Sequence, residues 1–237
     1  MKAVILAGGK GTRLAPYTRI FPKPMLPIGD KAIVEIMIYQ MKRAGIGDIT
    51  LAVGHLAGLM RAFFQDGSQY GVKIGYSYEH QPLGTAGPLA GIPDLKGTFM
   101  VTNGDVLTTL DMRDLIAFHN ENKGVATIAT HERKVKIDLG VIHANGDHTI
   151  TGYEEKPTIV YSVSMGIYLF EPDVLAFIPK GEYLDFPDLI KMLIEAGKKV
   201  VAYPFNGYWQ DLGRPDDYEQ ANIDFETMRS EFLPEDD

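Results

Sequence analysis

The glycine-rich stretch AGGKGTRL at residues 7–14 limits the fold of this chain more than any other segment. It follows the apolar run AVIL at residues 3–6, which predicts a buried strand over residues 2–7. A glycine-rich turn directly behind a strand is typical of loops that hold phosphate with backbone N–H groups. The stretch therefore predicts a phosphate site close behind the first strand of an α/β fold.

Two common phosphate-binding patterns do not fit this loop. The dinucleotide fingerprint G-x-G-x-x-G would start at Gly9, but Leu14 stands where the third glycine is needed for close packing of helix on strand. The P-loop pattern would require a glycine at Val4. A nicotinamide-dependent oxidoreductase is therefore disfavoured, and so is a P-loop nucleotidase.

Predicted strands and helices alternate through the first half of the chain. A helix over about 32–44 is expected to be capped by Asp30 and stopped by Gly45, and Asp111 is expected to cap a helix beginning near Met112. The remaining predicted elements are strands at 49–53, 72–78 and 98–105 and a helix at about 56–66. The alternation predicts a Rossmann-like α/β fold, with a mainly parallel sheet covered by helices on both faces.

The second half contains several strands in close succession, which predict a mixed sheet. ANGD at residues 144–147 predicts a hairpin, and the tail EFLPEDD is expected to fray. A helix near 185–196, a strand near 199–205 and a helix near 214–229 complete the prediction. We expect a single domain over residues 1–237, with one half over about 1–125 and a second over about 126–237.

Composition excludes several classes of function. The net charge of −8 argues against a partner that is a nucleic acid or an anionic membrane, because either would need a basic face. The absence of cysteine excludes disulfides, thiolate catalysis and cysteine-bound zinc. No apolar run approaches the length of about 20 residues that a membrane span needs, and no signal peptide is visible. We therefore expect a soluble, cytoplasmic protein.

Lys23 lies in the proline-rich segment FPKPMLPI at residues 21–28. Proline fixes its own φ and restricts the preceding residue, so a lysine held there loses little freedom when it meets a ligand. Taken alone, Lys23 has a second interpretation as a solvated loop lysine, since most lysines are solvated.

Five motifs together resemble the signature of the sugar-1-phosphate nucleotidyltransferases, and the resemblance runs from residue 2 to about 222. In chain order they are LAGGKGTRL with PKPMLPI at 6–28, QPLGTAGPL at 81–89, VTNGD at 101–105, YEEKP at 153–157 and WQDLGRPDDY at 209–218. The motif PLGTAGPL is most similar to guanylyl-transferring members that act on mannose 1-phosphate. The resemblance implies a nucleotide-diphospho-sugar transferase fold.

The resemblance also implies a reaction and a set of residues on the nucleotide side. A nucleoside triphosphate and a sugar 1-phosphate would give a nucleotide sugar and pyrophosphate, with Arg13 supporting the leaving pyrophosphate and Lys23 touching the α-phosphate. The implied nucleotide-binding residues are Leu6, Ala7, Gly8, Gly9, Gly11, Thr12, Arg13, Lys23, Gln81, Gly84 and Thr85.

On the sugar side, Lys156 would hold the sugar phosphate as a third catalytic residue, and Glu155 would take sugar hydroxyls. The implied sugar-binding residues are Asn103, Gly140, Glu155, Lys156, Ser164 and Gly166. Asp105 and Asp211 would bind Mg²⁺, which prefers carboxylate and phosphate oxygens.

Several alternatives stay open. The base and the sugar are undecided between guanylyl transfer to a manno-configured sugar, which is slightly favoured, and thymidylyl or uridylyl transfer to glucose 1-phosphate or a related sugar. A catalytically silent, nucleotide-sugar-binding regulator is disfavoured, because all the charged site residues are present. Because the sequence has no hexapeptide repeat, we expect a monofunctional protein. A homo-oligomer is compatible with the sequence.

Overall fold

The computed structural model describes residues 1–79 and 81–234, which fold into an α/β domain with a central seven-stranded sheet. The strands are β1 (Lys2–Ala7), β2 (Pro27–Ile28), β3 (Lys31–Ala32), β4 (Asp48–Val53), β5 (Lys73–Tyr78), β6 (Phe99–Asn103), β7 (Val106–Thr108), β8 (Ala126–Lys136), β9 (Gly140–Ala144), β10 (Ile150–Glu155), β11 (Thr158–Phe170), β12 (Val200–Phe205) and β13 (Trp209–Asp211). The α-helices are α1 (Ile33–Arg43), α2 (Ala57–Phe64), α3 (Met112–Asn122), α4 (Phe186–Glu195), α5 (Pro215–Thr227) and α6 (Arg229–Phe232).

The central sheet has the strand order β12-β8-β11-β6-β1-β4-β5. All neighbouring strands are parallel except β11, which is antiparallel to both β6 and β8. The predicted Rossmann-like, mainly parallel sheet is therefore confirmed. Three strands of the second half, β8, β11 and β12, extend this sheet, whereas the predicted hairpin, β9–β10, forms a separate two-stranded ladder and β13 pairs with β7.

Strand β1 is buried because both faces of the sheet are covered. Ala3, Ile5 and Ala7 point into one apolar cluster, which includes α1, whereas Val4 points into the other, which includes α4. This two-sided burial is the physical reason for the continuous apolar run in the sequence.

The carboxyl ends of three neighbouring strands meet at one edge of the sheet. The parallel register places Ala7 of β1 opposite Val53 of β4, and Leu6 opposite Asn103 of β6. The loops that leave these strands therefore converge, which is where open α/β sheets bind ligands. Gly54 allows two of these loops to approach closely, because a Cβ there would lie 2.9 Å from the carbonyl oxygen of Gly8.

The predicted N-cap of α1 is wrong. Ala32 occupies the N-cap, and the Glu35 carboxylate accepts a hydrogen bond from its backbone N–H at 3.4 Å. Asp30 lies in the turn of the short β2–β3 hairpin, so β3 separates it from the helix. Asp30 instead accepts a hydrogen bond from Arg229 at 2.7 Å, and this bond lowers the pKa of Asp30 to about 2.

Two other predicted helix signals are confirmed. The Asp111 carboxylate accepts a hydrogen bond from the backbone N–H of Arg113 at 2.9 Å, so it caps α3. Gly45 has φ 77° directly behind α1, and the N–H of Ile46 donates to the carbonyl of Met41 at 2.9 Å. This pairing is the usual stop that a left-handed glycine permits.

The tail that was expected to fray is ordered through Pro234, and residues 235–237 lie outside the described residues. The Phe232 side chain is fully buried, with its ring 5.1 Å from that of Tyr208 and 5.6 Å from that of Phe225. Its carbonyl accepts a hydrogen bond from Gln40 at 3.1 Å. One aromatic side chain therefore fixes α6 to the core, a contact that local sequence pattern does not encode.

Within the part of the chain that the structure describes, no helix combines the length and the apolar character that a membrane crossing requires.

Replacing Phe232 by alanine tests this attachment. Because the ring is fully buried, Phe232→Ala is expected to lower the free energy of unfolding by about 3–5 kcal/mol. Urea denaturation measures the change, and Glu231→Ala, an exposed neighbour on α6, serves as the control. Equal stability of the two variants would mean that α6 does not pack as described.

Candidate active site

A cavity of about 940 Å³ opens at the carboxyl edge of the sheet, large enough for a nucleotide-sized ligand. Every residue predicted for the nucleotide side lines it, together with Asn103 and Asp105. Five further lining residues lie outside all of the sequence motifs: Gly54, His55, Glu79, Tyr183 and Asp185. Gly54, His55 and Glu79 directly follow predicted strands, so the rule that sites lie behind strand ends could have identified them.

Gly11 shapes the phosphate loop. It adopts a left-handed backbone with φ 59° at the start of a short helical turn, Thr12–Leu14. A Cβ at this position would lie 2.9 Å from the Thr18 methyl group and 3.0 Å from Lys23 Cβ. Only glycine therefore allows the loop to pack against the segment that carries Lys23.

Arg13 and Leu14 point in opposite directions from this turn. Leu14 is buried in the core, whereas Arg13 is exposed in the cavity wall. The Arg13 guanidinium lies against Gly213, where a Cβ would come within 3.3 Å of it. The buried leucine thus anchors the turn and the glycine leaves room for the cation.

Lys23 forms an ion pair with Asp105 at the cavity wall. Lys23 is only 8% exposed, so its interpretation as a solvated loop lysine is wrong. It begins a single helical turn, Lys23–Met25, and Asp105 follows the end of β6. A buried ammonium group is stable only with a partner of opposite charge, and Asp105 supplies it.

A short antiparallel ladder brings Asp211 beside Asp105. Strand β13 pairs with β7, and the N–H of Leu212 donates to the Asp105 carbonyl at 3.0 Å. Partial burial and the negative charge of Asp105 raise the pKa of Asp211, against the opposing effects of Lys23 and Arg13. Arg13, Lys23 and Asp105 line one end of the cavity, and Asp211 lies close enough to feel their charges although it does not itself line the cavity.

The Asp105–Asp211 pair fits a magnesium ion of the kind that nucleotides carry. No group of three or more histidine, cysteine or acidic side chains with metal-binding geometry occurs among residues 1–79 and 81–234. Nucleotide-bound Mg²⁺ needs only one or two carboxylates, because phosphate and water oxygens complete its octahedron. A divalent cation would also relieve the repulsion that raises the pKa of Asp211.

The segment that carries Gln81, Gly84 and Thr85 is bound to the loop before α4. The Thr85 hydroxyl donates to the Asp185 carboxylate at 3.1 Å and accepts from the N–H of Phe186 at 2.8 Å. Gly84 has φ 76°, and a Cβ there would lie 2.5 Å from the Leu184 carbonyl oxygen. The Thr85 hydroxyl and Gly84 thus position this wall, while Gln81 stays exposed.

Two predicted sugar-side residues, Asn103 and Gly166, lie in contact. Strand β11 is irregular between Ser164 and Tyr168, and Gly166 adopts φ 74° within this irregularity. A Cβ on Gly166 would lie 2.6 Å from the Asn103 amide nitrogen. The Ser164 hydroxyl lies 3.0 Å from the Tyr168 hydroxyl.

The other predicted sugar-side residues lie on the β9–β10 hairpin. Gly140 pairs with Glu155, and Tyr153 donates a hydrogen bond to the Glu155 carboxylate at 3.1 Å. Lys156 follows with an unusual left-handed backbone, φ 48°. Gly140, Glu155 and Lys156 are not among the described residues that line the cavity. The hairpin group and the nucleotide-side cavity are therefore separate features.

Comparison with known proteins identifies the family. A family model described as "Nucleotidyl transferase" matches residues 2–228. This chain belongs to the nucleotidyl transferase family. The matched span includes Arg13, Lys23, Asp105 and Asp211.

Two relatives in this family differ in the base they are named for. The chain is 36% identical to a UTP–glucose-1-phosphate uridylyltransferase of Synechocystis, over 93% of this chain. It is 35% identical to a mannose-1-phosphate guanyltransferase of Schizosaccharomyces pombe, over 92% of this chain. The chain spans 62% of the length of each of these relatives.

A solved structure from Bacillus anthracis has the same fold. It is described as a candidate glucose-1-phosphate thymidylyltransferase in complex with sucrose. The TM-score is 0.75 at 26% identity, and the alignment covers 94% of each chain. The nucleotide-diphospho-sugar transferase fold implied by the motifs is therefore confirmed.

The raised pKa of Asp211 predicts that this carboxylate destabilises the metal-free protein at neutral pH. Below the ordinary pKa of about 3.9 the Asp211 carboxyl is protonated whether or not the chain is folded, so it does not lower the free energy of unfolding. The free-energy cost grows as the pH rises from the ordinary pKa to the raised pKa of the folded protein, and it stays constant above that. Asp211→Asn removes it, so at pH 7 without metal we expect a higher melting temperature, by about 1–2 °C.

Thermal unfolding followed by circular dichroism measures this change, and the gain should shrink as the pH falls. Asp138→Asn, which changes an exposed carboxylate on the loop before β9, is the matched control. A lower melting temperature for Asp211→Asn at pH 7 would contradict the described charge environment.

Proposed function

We propose that this chain transfers a nucleotidyl group from a nucleoside triphosphate to a sugar 1-phosphate, with release of pyrophosphate. The observation that carries the proposal is the group of Arg13, Lys23 and Asp105 at one end of a nucleotide-sized cavity, behind a glycine-rich loop, with Asp211 held beside Asp105. Such a cluster suits a reaction in which two polyanions must meet.

In the proposed reaction a phosphate oxygen of the sugar 1-phosphate attacks the α-phosphorus in line. The bond from the α-phosphorus to the bridging oxygen breaks, and pyrophosphate leaves with the electron pair. The N–H groups of residues 8–12 hold the triphosphate, Arg13 supports the leaving pyrophosphate, and Lys23 contacts the α-phosphate. Since Lys23 already lies buried and paired, its ammonium group reaches the phosphate with little loss of conformational freedom.

Asp105 and Asp211 would hold Mg²⁺, which when bound supplies positive charge against the phosphate oxygens. The two carboxylates would fix the position of that charge. Magnesium dependence is therefore part of the proposal.

On the sugar side, we propose that Lys156 holds the phosphate of the sugar 1-phosphate and that Glu155 accepts hydrogen bonds from its hydroxyls. Gly140, Asn103, Ser164 and Gly166 complete the proposed sugar site. The exposure of Glu155 and Lys156 on a hairpin supports the idea that they meet substrate. In this proposal the hairpin group approaches the cavity when the sugar phosphate binds.

For the base, we propose that Gln81 and the backbone at Gly84 contact its edge and that guanylyl transfer to a manno-configured sugar is preferred. Uridylyl or thymidylyl transfer to glucose 1-phosphate is the second candidate, since a relative of that kind is equally similar. A nucleoside triphosphate substrate also supports a cytoplasmic location. A homo-oligomer is compatible with this function.

A pyrophosphate-release assay over a matrix of nucleoside triphosphates and sugar 1-phosphates tests the function. With Mg²⁺ we expect turnover of at least one pair, and Asp105→Asn should reduce it by about 10²–10³-fold. Asp94→Asn, an exposed aspartate on the loop before β6, should keep the wild-type rate. A folded wild-type protein that binds nucleotide sugars but releases no pyrophosphate from any pair would favour the regulator instead.

The same assay separates the two substrate sides. Lys156→Ala should raise the KM for the sugar 1-phosphate by about tenfold or more and leave the KM for the triphosphate unchanged. Lys134→Ala, on β8, is the control. Equal increases in both KM values would exclude residues 155 and 156 from a separate sugar site.

A further inference from the structure

We propose that the Glu79 carboxylate selects the base of the nucleotide, accepting hydrogen bonds from guanine N1–H and from the exocyclic N2 amine. This inference rests on the proposed function, because it assigns the base that the transfer reaction uses. It concerns a residue that none of the sequence motifs singled out.

Glu79 is held at the entrance of the phosphate loop. It directly follows β5, and its backbone N–H donates to the Val53 carbonyl at 2.8 Å. Its side chain reaches across to the loop, because a Cβ on Gly8 would lie 2.5 Å from Oε1 of the carboxylate. Glycine at position 8 thus provides the space that the carboxylate occupies.

The Glu79 carboxylate can accept more hydrogen bonds than the described residues donate to it. Glu79 is half-buried and forms no ion pair with any residue in 1–79 or 81–234. Burial raises the pKa of Glu79, against the opposing effect of the Leu83 backbone N–H. A partly desolvated carboxylate is stabilised when a ligand brings hydrogen-bond donors to it.

The charge distribution decides which part of a nucleotide can face Glu79. Arg13, Lys23 and the two aspartates mark the end of the cavity suited to phosphates and metal. Triphosphate oxygens would be repelled by an unpaired carboxylate, so the phosphates bind at the Arg13 end of the loop, and Glu79, which lies against Gly8, faces an uncharged part of the nucleotide. Gln81, two residues further along the same wall, is the residue proposed to contact the base.

The chemistry of the bases then points to guanine. The guanine edge presents two adjacent donors, N1–H and the N2 amine, and a carboxylate has two acceptor oxygens to match them. Uracil and thymine present one donor, N3–H, between two carbonyl oxygens that a carboxylate repels. Glu79 therefore both attracts guanine and disfavours the pyrimidines.

Calorimetric titration with GTP, ITP and UTP in the presence of Mg²⁺ tests the proposal. ITP lacks the N2 amine, so the wild-type protein should bind it more weakly than GTP, and UTP more weakly still. Glu79→Gln should weaken GTP binding by about tenfold to a hundredfold and abolish the difference between GTP and ITP. Glu121→Gln, an exposed glutamate on α3, should leave all three affinities unchanged.

Two results would overturn the assignment. The first is equal binding of GTP and ITP by the wild-type protein. This test does not depend on whether a variant folds. The other is a loss of affinity for 2′-deoxy-GTP as large as that caused by Glu79→Gln, which would mean that the carboxylate binds the ribose instead.

Pyrophosphate release, measured in parallel, keeps this inference separate from the proposed function. Glu79-dependent GTP binding without turnover of any pair would support the inference and contradict the transfer reaction. Fast turnover of UTP that is insensitive to Glu79→Gln would support the transfer reaction and contradict the inference about Glu79.

Discussion

The partly buried ion pair between Lys23 and Asp105 joins the two chain segments on which the cavity is built. Lys23 arrives from the segment behind the phosphate loop, and Asp105 from the turn behind β6. Gly104 brings these segments close, since its N–H donates to the Leu6 carbonyl at 2.9 Å and a Cβ would lie 2.7 Å from that oxygen. The pair therefore fixes the phosphate end of the cavity before a substrate arrives.

The cavity is electrically asymmetric, and this asymmetry orients a nucleotide. Its phosphate end holds Arg13 and Lys23, with Asp105 and Asp211 available for a metal ion. Its other wall carries Glu79 without a cation among the described residues, near the uncharged amide of Gln81. A triphosphate binds more favourably at the first end, and a base with N–H donors binds more favourably at the second. One orientation of the nucleotide in the cavity is therefore favoured.

Local pattern predicted the elements that are buried on both faces. The apolar run of β1 was sufficient to predict this strand, because each residue of the run packs into one of the two apolar clusters. Local pattern failed where tertiary contacts decide: Asp30 binds Arg229 instead of capping α1, and Phe232 fixes a tail with little apolar character. The ladder that sets Asp211 beside Asp105 joins residues about a hundred positions apart, so only the family motif could pair them.

The site shows the same division. The residues predicted for the nucleotide side line the cavity, whereas Glu79 was missed because a single carboxylate behind a strand has no motif of its own. The hairpin residues Glu155 and Lys156 remain predictions, since the described cavity does not include them.

A double-mutant cycle on Lys23 and Asp105, measured as kcat/KM for the best substrate pair, tests the central claim that these residues act as one unit. We expect Lys23→Ala and Asp105→Asn each to reduce kcat/KM by about 10²–10³-fold, and the double variant to be no worse than the poorer single variant by more than about threefold. Losses that multiply in the double variant would contradict the account, because they would mean that the lysine and the carboxylate act independently.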